Sequence, residues 1–338
     1  MKKNVDYDVI IIGAGPAGAA GAKVLRSSGL KAAVIEKHSL PRYKCCSGLL
    51  SSRAQELIND LFGNIPDNII CKNKWIDFCI GKSGYEFLDF PGHTSLHVYR
   101  SLFDDWLIAN SGADILNSCF FVSYKHIENG TEVKIKKGRE YRILSCRFLI
   151  DASGSNSKIR KSLDSSYSQN NLAFAYQELY KAESAIDKNR CHFLLSKKYS
   201  NIFAWVMCED DNIFIGTCNT KGFDYSNGMN NLIGFMEDAY SMKRTSLIRK
   251  EGCFGDSRRK KDQFFFGKGN ILLTGDSSSL FSYLGEGIPY AMYSGKYAAM
   301  AIQDSIKSGG PVNEIYEEYV SRETQIILED WRAFGVEE

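Results

Sequence analysis

Three stretches of the chain carry unbroken runs of apolar residues, at 9–12, 32–35 and 271–273. Such runs predict parallel strands that helices cover on both faces. Apolar residues recur instead at helical spacing in 51–62 and 101–112, and this pattern predicts two amphipathic helices. The chain therefore alternates between buried strands and surface helices, which is typical of an α/β fold.

Two longer regions follow a different pattern. Residues 115–150 contain short alternating segments with a turn at Asn129-Gly130, and this predicts an antiparallel meander. Residues 171–264 contain aromatic-rich runs joined by polar turns, which predicts an antiparallel sheet backed by helices. We expect a Rossmann-like domain, with a parallel sheet, helices and the meander, and an inserted antiparallel α+β substrate domain. The predicted boundaries are 1–73, 95–170 and 265–338 for the first domain, and 74–94 and 171–264 for the second.

A glycine-rich turn follows the first apolar run. Gly13, Gly15 and Gly18 fit the G-x-G-x-x-G spacing, in which the glycines make a tight turn, admit a pyrophosphate and let the helix pack closely on the strand. Glu36 follows the second apolar run. In dinucleotide-binding folds an acidic residue at this position hydrogen-bonds a ribose hydroxyl of the cofactor. This pattern predicts a dinucleotide site, to which we also assign Ala17 and Lys37.

A second segment near the end of the chain extends this site. Gly275-Asp276 follows the apolar run at 271–273, at the end of a strand where open α/β sheets bind ligands. Gly287-Ile288 then begins a long helical pattern, whose N-terminal N–H groups favour negative charge. A dinucleotide that reaches both segments is long, so we predict FAD rather than NAD and an FAD-binding domain built from both ends of the chain.

Composition and charge narrow the function further. The net charge of +2 argues against nucleic-acid binding, and no apolar stretch is long enough to span a bilayer. The first strand begins by Tyr7, which leaves no room for a signal peptide, so we expect a cytoplasmic protein. The ten cysteines are dispersed and contain no C-x-x-C, and the five histidines are dispersed as well. We therefore predict reduced thiols, no iron–sulfur cluster and no metal.

Four stretches resemble FAD-dependent oxidoreductases of the p-hydroxybenzoate-hydroxylase fold, in their geranylgeranyl-reductase-like branch. They are the N-terminal glycine turn, PRYKCCSGLL (41–50), HVYRSLFDDWL (97–107) and the GDSSS…GEGI…SGKYAA block. The resemblance implies that Cys46 lies close to the flavin with Ser47 beside it, and that Arg100 contacts the cofactor. It also places Trp205 in an aromatic pocket motif. The cofactor-binding residues that we predict further include Arg42, Val122 and Gly154.

Two of these residues have alternative roles. Cys46 donates a proton to a substrate carbon as hydride leaves flavin N5, restricts the access of oxygen to the flavin, or fills a small apolar gap in the cofactor loop. Trp205 either forms a pocket wall or belongs to the core. We treat both as candidate catalytic residues.

The resemblance implies an enzyme that reduces carbon–carbon double bonds of an isoprenoid or another apolar small molecule. Electrons come from transiently bound NAD(P)H or from another carrier, because only one glycine-rich dinucleotide turn is present. One alternative is an FAD-dependent monooxygenase acting through a flavin hydroperoxide; a halogenase is disfavoured because Phe203, Met207 and Cys208 break its W-x-W-x-I-P motif. Another is a non-catalytic electron carrier, whose basic run at 258–261 docks a redox partner protein or makes a peripheral membrane contact. A solvated loop is the simpler interpretation of that run.

Overall fold

A computed structural model describes residues 5–82, 86–90, 93–168, 172–256 and 260–336. Arg258 and Arg259 of the basic run lie outside these residues. The described helices are α1 (Pro16–Ser27), α2 (Ser52–Phe62), α3 (Arg100–Ala109), α4 (Lys158–Leu163), α5 (Tyr225–Tyr240), α6 (Ile288–Ser308) and α7 (Val312–Ala333). No helix among the described residues combines the length and apolar character needed to cross a membrane.

The strands form two sheets. The strands of the first, eight-stranded sheet are β1 (Tyr7–Ile12), β2 (Ala32–Ile35), β7 (Asp114–Leu116), β8 (Cys119–Ile127), β9 (Gly130–Lys137), β10 (Glu140–Asp151), β16 (Gly267–Lys268) and β17 (Ile271–Leu273). The strands of the second, nine-stranded sheet are β3 (Leu49–Leu50), β4 (Ile70–Gly81), β5 (Phe87–Asp89), β6 (Ser95–Val98), β11 (Leu172–Glu183), β12 (Arg190–Leu194), β13 (Phe203–Glu209), β14 (Asn212–Thr220) and β15 (Lys243–Asp256). The prediction of an α/β fold with parallel and antiparallel sheets is confirmed.

The first sheet brings the two ends of the chain together. Its central strands run in the order β17-β10-β1-β2 and all pair in parallel. The predicted buried strands at 9–12, 32–35 and 271–273 are all present and buried. Helices α1, α6 and α7 pack on one face of the sheet, but strands β8 and β9 and the short helix α4 pack on the other, so the expected helical cover holds for one face only. Strand β10 has two roles: its first half pairs antiparallel with β9, and its last residues pair in parallel with β1 and β17. The carboxyl ends of β1, β2 and β17 therefore meet at one edge.

Helices α1 and α6 pack against each other at close range on this sheet. A Cβ atom built at Gly295 of α6 lies 2.1 Å from the carbonyl oxygen of Ala17, and one built at Gly21 of α1 lies 3.0 Å from the carbonyl oxygen of Gly295. Only residues without side chains permit this approach. The N-terminal helix and the helix near the end of the chain are thereby held together.

The second sheet differs in one respect from the predicted division of the chain. Strands β3 and β6, which the sequence placed in the nucleotide-binding part, belong to the second sheet, where β3 pairs with β6 and β6 pairs with β4. Residues 41–50 and 95–98 therefore reach from one sheet to the other. The exact domain boundaries stay a prediction.

Candidate active site

Residues from both sheets line one cavity of about 740 Å³. This volume lies within the usual range of small-molecule and cofactor sites. One end of the cavity is formed by the glycine-rich turn after β1, and another part by aromatic residues of the second sheet. The loop 41–50 and the segment 274–288 complete the wall.

The glycine turn is built by close backbone contacts. Gly13 has φ +109°, and a Cβ atom there would lie 2.3 Å from the carbonyl oxygen of Ala152. A Cβ atom at Gly18 would lie 2.0 Å from the carbonyl oxygen of Gly13, so Gly18 lets α1 pack on the turn. Gly15 is different, because its Cβ position has only Arg42 Nη2 nearby, at 3.7 Å, and faces the cavity.

The start of α1 fits a pyrophosphate. Gly15 is the N-cap residue and makes no side-chain cap, and Pro16 occupies the first turn. The first N–H groups of a helix lack intrahelical acceptors and carry the positive end of the helix dipole. Because Gly15 and Ala17 line the cavity, these N–H groups lie beside it, as phosphate binding at a helix start requires.

Glu36 is buried next to this turn. One carboxylate oxygen accepts a hydrogen bond from the Ala14 N–H at 3.0 Å, and the other accepts one from the His38 N–H at 3.0 Å. Arg42 Nε lies 3.5 Å from Glu36 Oε2. Glu36 Oε1 keeps a further lone pair for a ligand hydroxyl, so the residue fits the ribose contact that the sequence predicts.

A buried carboxylate that the sequence analysis missed holds two arginines at the cavity. Asp104 accepts hydrogen bonds from Arg100 Nε at 2.9 Å and Arg100 Nη2 at 3.0 Å, and Arg42 Nη1 lies 3.3 Å from it. The ion pair raises the pKa of the Arg100 guanidinium against the opposing effect of burial. The R-x-x-x-D spacing of α3 is the sequence signal for the first pair. No local sequence pattern signals the contact between Asp104 and Arg42, because Arg42 comes from the distant loop 41–50.

The segment after β17 completes the cofactor end. Gly275 has φ +61°, and its N–H donates to Ser294 Oγ of α6 at 2.9 Å. Asp276 lines the cavity, and a Cβ atom at Gly287 would lie 3.2 Å from Asp276 Oδ1. Gly287 is the N-cap residue of α6 without a side-chain cap, so a second helix start lies at the cavity. Ile288 follows it and lines the same wall.

A second network that the sequence missed joins β10 to the segment after β17. Asp151 is buried and accepts hydrogen bonds from the Ser153 N–H and hydroxyl, at 3.0 and 2.6 Å, and from the Ser157 hydroxyl. Burial raises the pKa of the Asp151 carboxyl despite these donors. Arg160 donates to the carbonyl oxygen of Ser277 at 2.9 Å. The ends of the two strands are thereby fixed relative to each other.

The far wall of the cavity is aromatic. It is formed by Phe193 on β12 and by Phe203 and Trp205 on β13. The centroid of the Phe203 ring lies 5.8 Å from that of Phe193 and 5.8 Å from that of Trp205. A Cβ atom at Gly216 of β14 would lie 2.2 Å from the Trp205 ring, so the indole lies across a glycine that makes room for it. The Trp205 Nε1–H finds no hydrogen-bond partner in the described part of the chain. This wall suits an apolar ligand.

The predicted site residues converge with two exceptions. The predicted residues that line the cavity are Gly13, Gly15, Ala17, Glu36, Lys37, Arg42, Cys46, Ser47, Arg100, Gly154, Trp205, Gly275, Asp276, Gly287 and Ile288. Gly18 packs behind the turn. Val122 lies where the pairing of β8 with β9 shifts between Phe121 and Ser123, and the cavity wall from β8 comes from Cys119, Phe120 and Phe121 instead. A bulge of this kind changes which side chains face a site, and the alternation in the sequence does not reveal it.

The ten cysteines are free thiols, seven of them buried. One group of metal-ligand atoms comes together among the described residues, in Cys71, His97 and Glu209, whose atoms lie within 4.8 Å of one another. None of these three lines the cavity, and Arg249 Nη2 lies 3.2 Å from Glu209 Oε1, so the carboxylate already has a cationic partner.

A protein-family model described as FAD binding domain matches residues 6–65. This stretch contains the glycine turn, Glu36, Arg42 and Cys46. The match supports FAD as the cofactor, in agreement with the free helix start and the acceptor carboxylate described above.

Two curated relatives match most of the chain. Geranylgeranyl diphosphate reductase of Rhodobacter capsulatus is 28% identical over 321 residues, which cover 91% of this chain and 78% of the relative. An uncharacterized protein of Methanosarcina barkeri is 30% identical over 331 residues, which cover 91% of this chain and 77% of the relative.

Solved structures share the fold. A geranylgeranyl bacteriochlorophyll reductase-like protein from Thermoplasma acidophilum superimposes with a TM-score of 0.81 at 19% identity, covering 96% of this chain and 84% of that one. The flavin-dependent brominase Bmp2 superimposes with a TM-score of 0.76 at 21% identity, covering 97% and 87%. The same fold therefore occurs in a geranylgeranyl bacteriochlorophyll reductase-like protein and in a flavin-dependent brominase.

Proposed function

Because the chain belongs to the FAD-dependent oxidoreductases of the geranylgeranyl-reductase-like family, we propose that it reduces carbon–carbon double bonds of an isoprenoid or a similarly apolar substrate. The observation that carries this proposal is the continuity of one cavity from the glycine turn to the aromatic wall of Phe193, Phe203 and Trp205. An apolar chain can enter a site whose walls are aromatic, because burial of both surfaces is favourable. The similarity to a geranylgeranyl diphosphate reductase supports the same substrate class.

Bound FAD supplies the hydride in this proposal. The protein contributes the binding groups, which are the helix start at Gly15 for the pyrophosphate, the Glu36 carboxylate for a ribose and the helix start at Gly287 for negative charge. Arg42 and Arg100 are held at the cavity by Asp104, so they are oriented before any ligand arrives. Such preorganisation reduces the ordering cost of binding.

We assign the protonation of the substrate carbon to Cys46. Its sulfur lines the cavity, accepts a hydrogen bond from the Gly48 N–H at 3.5 Å and is hydrogen-bonded by Arg100. The thiol is thus oriented by groups at known positions rather than free to rotate. Trp205 forms the apolar wall, and its unpaired indole N–H is available to a polar group of the substrate.

The direct test is anaerobic. The FAD-loaded protein is reduced without oxygen and mixed with candidate prenyl compounds, and flavin absorbance and product mass are followed. We expect reoxidation of the flavin with a product heavier by two hydrogens, and a loss of product formation in Cys46→Ser that exceeds any loss of FAD binding. Phe254→Leu, a substitution that keeps an apolar residue at the cavity, is the matched control for a general disturbance of the site.

Two other outcomes contradict the reductase. A hydroxylated or halogenated product that appears only with oxygen assigns the chain to the oxygen-using enzymes that share its fold. Failure to transform any prenyl compound, together with rapid electron exchange with a partner protein, assigns it to electron carriers. The source of electrons, NAD(P)H or another carrier, is measured in the same assay by supplying each donor in turn.

A further inference from the structure

Two cysteines from distant parts of the chain meet at the cavity. Cys45 lies in the loop 41–50 and Cys253 on β15, 208 residues further along the chain. The Cys253 sulfur lies 3.6 Å from the carbonyl oxygen of Cys45, and the Cys45 thiol lies 3.8 Å from the carbonyl oxygen of Ala175. The two thiols are hydrogen-bonded to each other. The loop thus crosses the second sheet with one cysteine directly against the other.

The sheet register explains why this pair is distinct. Ala175 on β11 is directly opposite Cys253 on β15 and directly opposite Cys218 on β14. Cys218 is therefore two strands away from Cys253, at about 10 Å, beyond the distance that a disulfide spans. The Cys46 sulfur is held by Gly48 and Arg100. Of these cavity cysteines, Cys45 is the one in contact with Cys253.

The surroundings give the two thiols different reactivity. The hydrogen bond from Cys45 lowers the pKa of Cys253, and the positive charges of Lys44 and Arg100 act in the same direction, while burial and Asp276 oppose them. The pKa of Cys45 is raised by its hydrogen bond to Cys253 and by burial. Cys253 is therefore the more readily ionised of the two thiols. A low-pKa thiolate beside a second thiol is the arrangement of redox-active cysteine pairs.

We propose that Cys253 and Cys45 form a redox-active dithiol site whose substrate is hydrogen peroxide and whose product is an intramolecular disulfide. The Cys253 thiolate attacks one peroxide oxygen, so that a sulfur–oxygen bond forms, the oxygen–oxygen bond breaks, and the departing hydroxide takes up a proton to become water. Cys45 then attacks the sulfur of the sulfenic acid, which releases a second water as its own proton is transferred. Two thiols lose two electrons and one peroxide gains them.

The disulfide has a structural consequence at the FAD end of the cavity. The loop that carries Cys45 also carries Arg42, Cys46 and Ser47. Oxidation ties this loop to β15 of the second sheet, so the cavity walls contributed by the two elements become covalently linked. This site is independent of the proposed alkene reduction and is tested without measuring that activity.

The test uses the full-length protein with FAD bound. The protein is reduced, freed of reductant and titrated with hydrogen peroxide, after which free thiols are counted under denaturing conditions and non-reduced peptides are mapped by mass spectrometry. We expect the first two thiols lost to be Cys45 and Cys253, joined in one cross-linked peptide that dithiothreitol cleaves. A first cross-link that contains Cys46 or Cys218, or no cross-link at doses that oxidise other thiols, overturns the proposal.

Single substitutions separate the two roles. In Cys45→Ser the serine hydroxyl can still donate a hydrogen bond to Cys253 but cannot form a disulfide. We therefore expect the sulfenic acid on Cys253 to persist, so that dimedone traps it. In Cys253→Ser we expect neither the disulfide nor a dimedone-trapped sulfenic acid at the same peroxide dose. Cys218→Ser, on the same face of the sheet, is the matched control and behaves as wild type. Sulfenic acid trapped mainly at another cysteine of the Cys45→Ser protein contradicts the assignment.

A second readout does not depend on disulfide formation. The rate of alkylation of Cys253 by iodoacetamide, measured peptide by peptide, should have a midpoint below the value of about 8.5 of a free cysteine. Cys45→Ala removes the hydrogen bond and should move that midpoint upward, whereas Cys218→Ser should not. Circular dichroism melting verifies that each variant is folded. A Cys253 midpoint at or above that of free cysteine contradicts the proposal even if a disulfide can be forced.

Discussion

Helices α1 and α6 hold the two ends of the chain together, so Gly295→Ala should weaken the FAD site from a position outside the cavity lining. The added Cβ atom would lie 2.1 Å from the carbonyl oxygen of Ala17, a backbone atom that no rotamer change can move. The helices must then separate by about 1 Å. Ala17 lines the cavity at the start of α1, so the separation displaces the N–H groups that face the pyrophosphate.

The size of the effect follows from two opposing contributions. Overpacking of this kind costs about 1–3 kcal/mol, and replacing glycine by alanine inside a helix returns up to about 1 kcal/mol. We therefore expect a net loss of about 1–2 kcal/mol in the free energy of unfolding. FAD affinity should fall as well, because the binding groups of the turn no longer lie at their positions in the folded protein.

Urea unfolding and FAD titration of Gly295→Ala measure the two effects. Gly234→Ala in α5 is the matched control, since it is also a helical glycine but has no atom within 4 Å of the built Cβ. That control should gain about 0.5–1 kcal/mol through helix propensity. The reasoning is refuted if Gly295→Ala is as stable as the control and binds FAD with the affinity of the wild type.

Two further predictions concern charge and pH. Glu36→Gln replaces one acceptor oxygen by a donor beside the Ala14 N–H, and FAD should bind about 10–100-fold more weakly; fluorescence titration checks this, and an unchanged dissociation constant contradicts it. Burial lowers the pKa of His192 to about 4, below the value of about 6.5 in the unfolded chain. The contribution of neutral His192 to the free energy of unfolding is therefore fully present above pH 6.5 and is lost as the pH falls toward 4. The loss attributable to His192 at pH 5 is about 2 kcal/mol, and His192→Phe should remove it in urea unfolding compared between pH 7 and pH 5. Equal pH sensitivity in both proteins refutes the second prediction.

Local patterns were sufficient for the parallel strands and the glycine turn. An unbroken apolar run such as 9–12 has few structural solutions. Gly13 and Gly18 are needed because a Cβ atom at either position would lie within 2.3 Å of a backbone carbonyl oxygen, and Gly15 leaves the cavity side of the turn open. The meander was also predictable, because Asn129-Gly130 is a strong turn signal and β8 and β9 meet there.

Contacts between distant segments could not be predicted in the same way. Strand β10 reads as an antiparallel strand along its length, yet its last residues join a parallel sheet because β1 and β17 offer open edges there. The bridge from Arg42 to Asp104 and the pairing of Cys45 with Cys253 depend on how a loop folds across two sheets. A single sequence carries no periodicity for such contacts.

The central claim is that residues near both ends of the chain form one FAD site, and the most direct measurement is an equilibrium titration of the full-length protein with FAD. The account predicts saturation at one FAD per chain, with quenched flavin fluorescence and a higher unfolding temperature for the loaded protein. A folded protein that takes up no FAD, by all three readouts, contradicts the account.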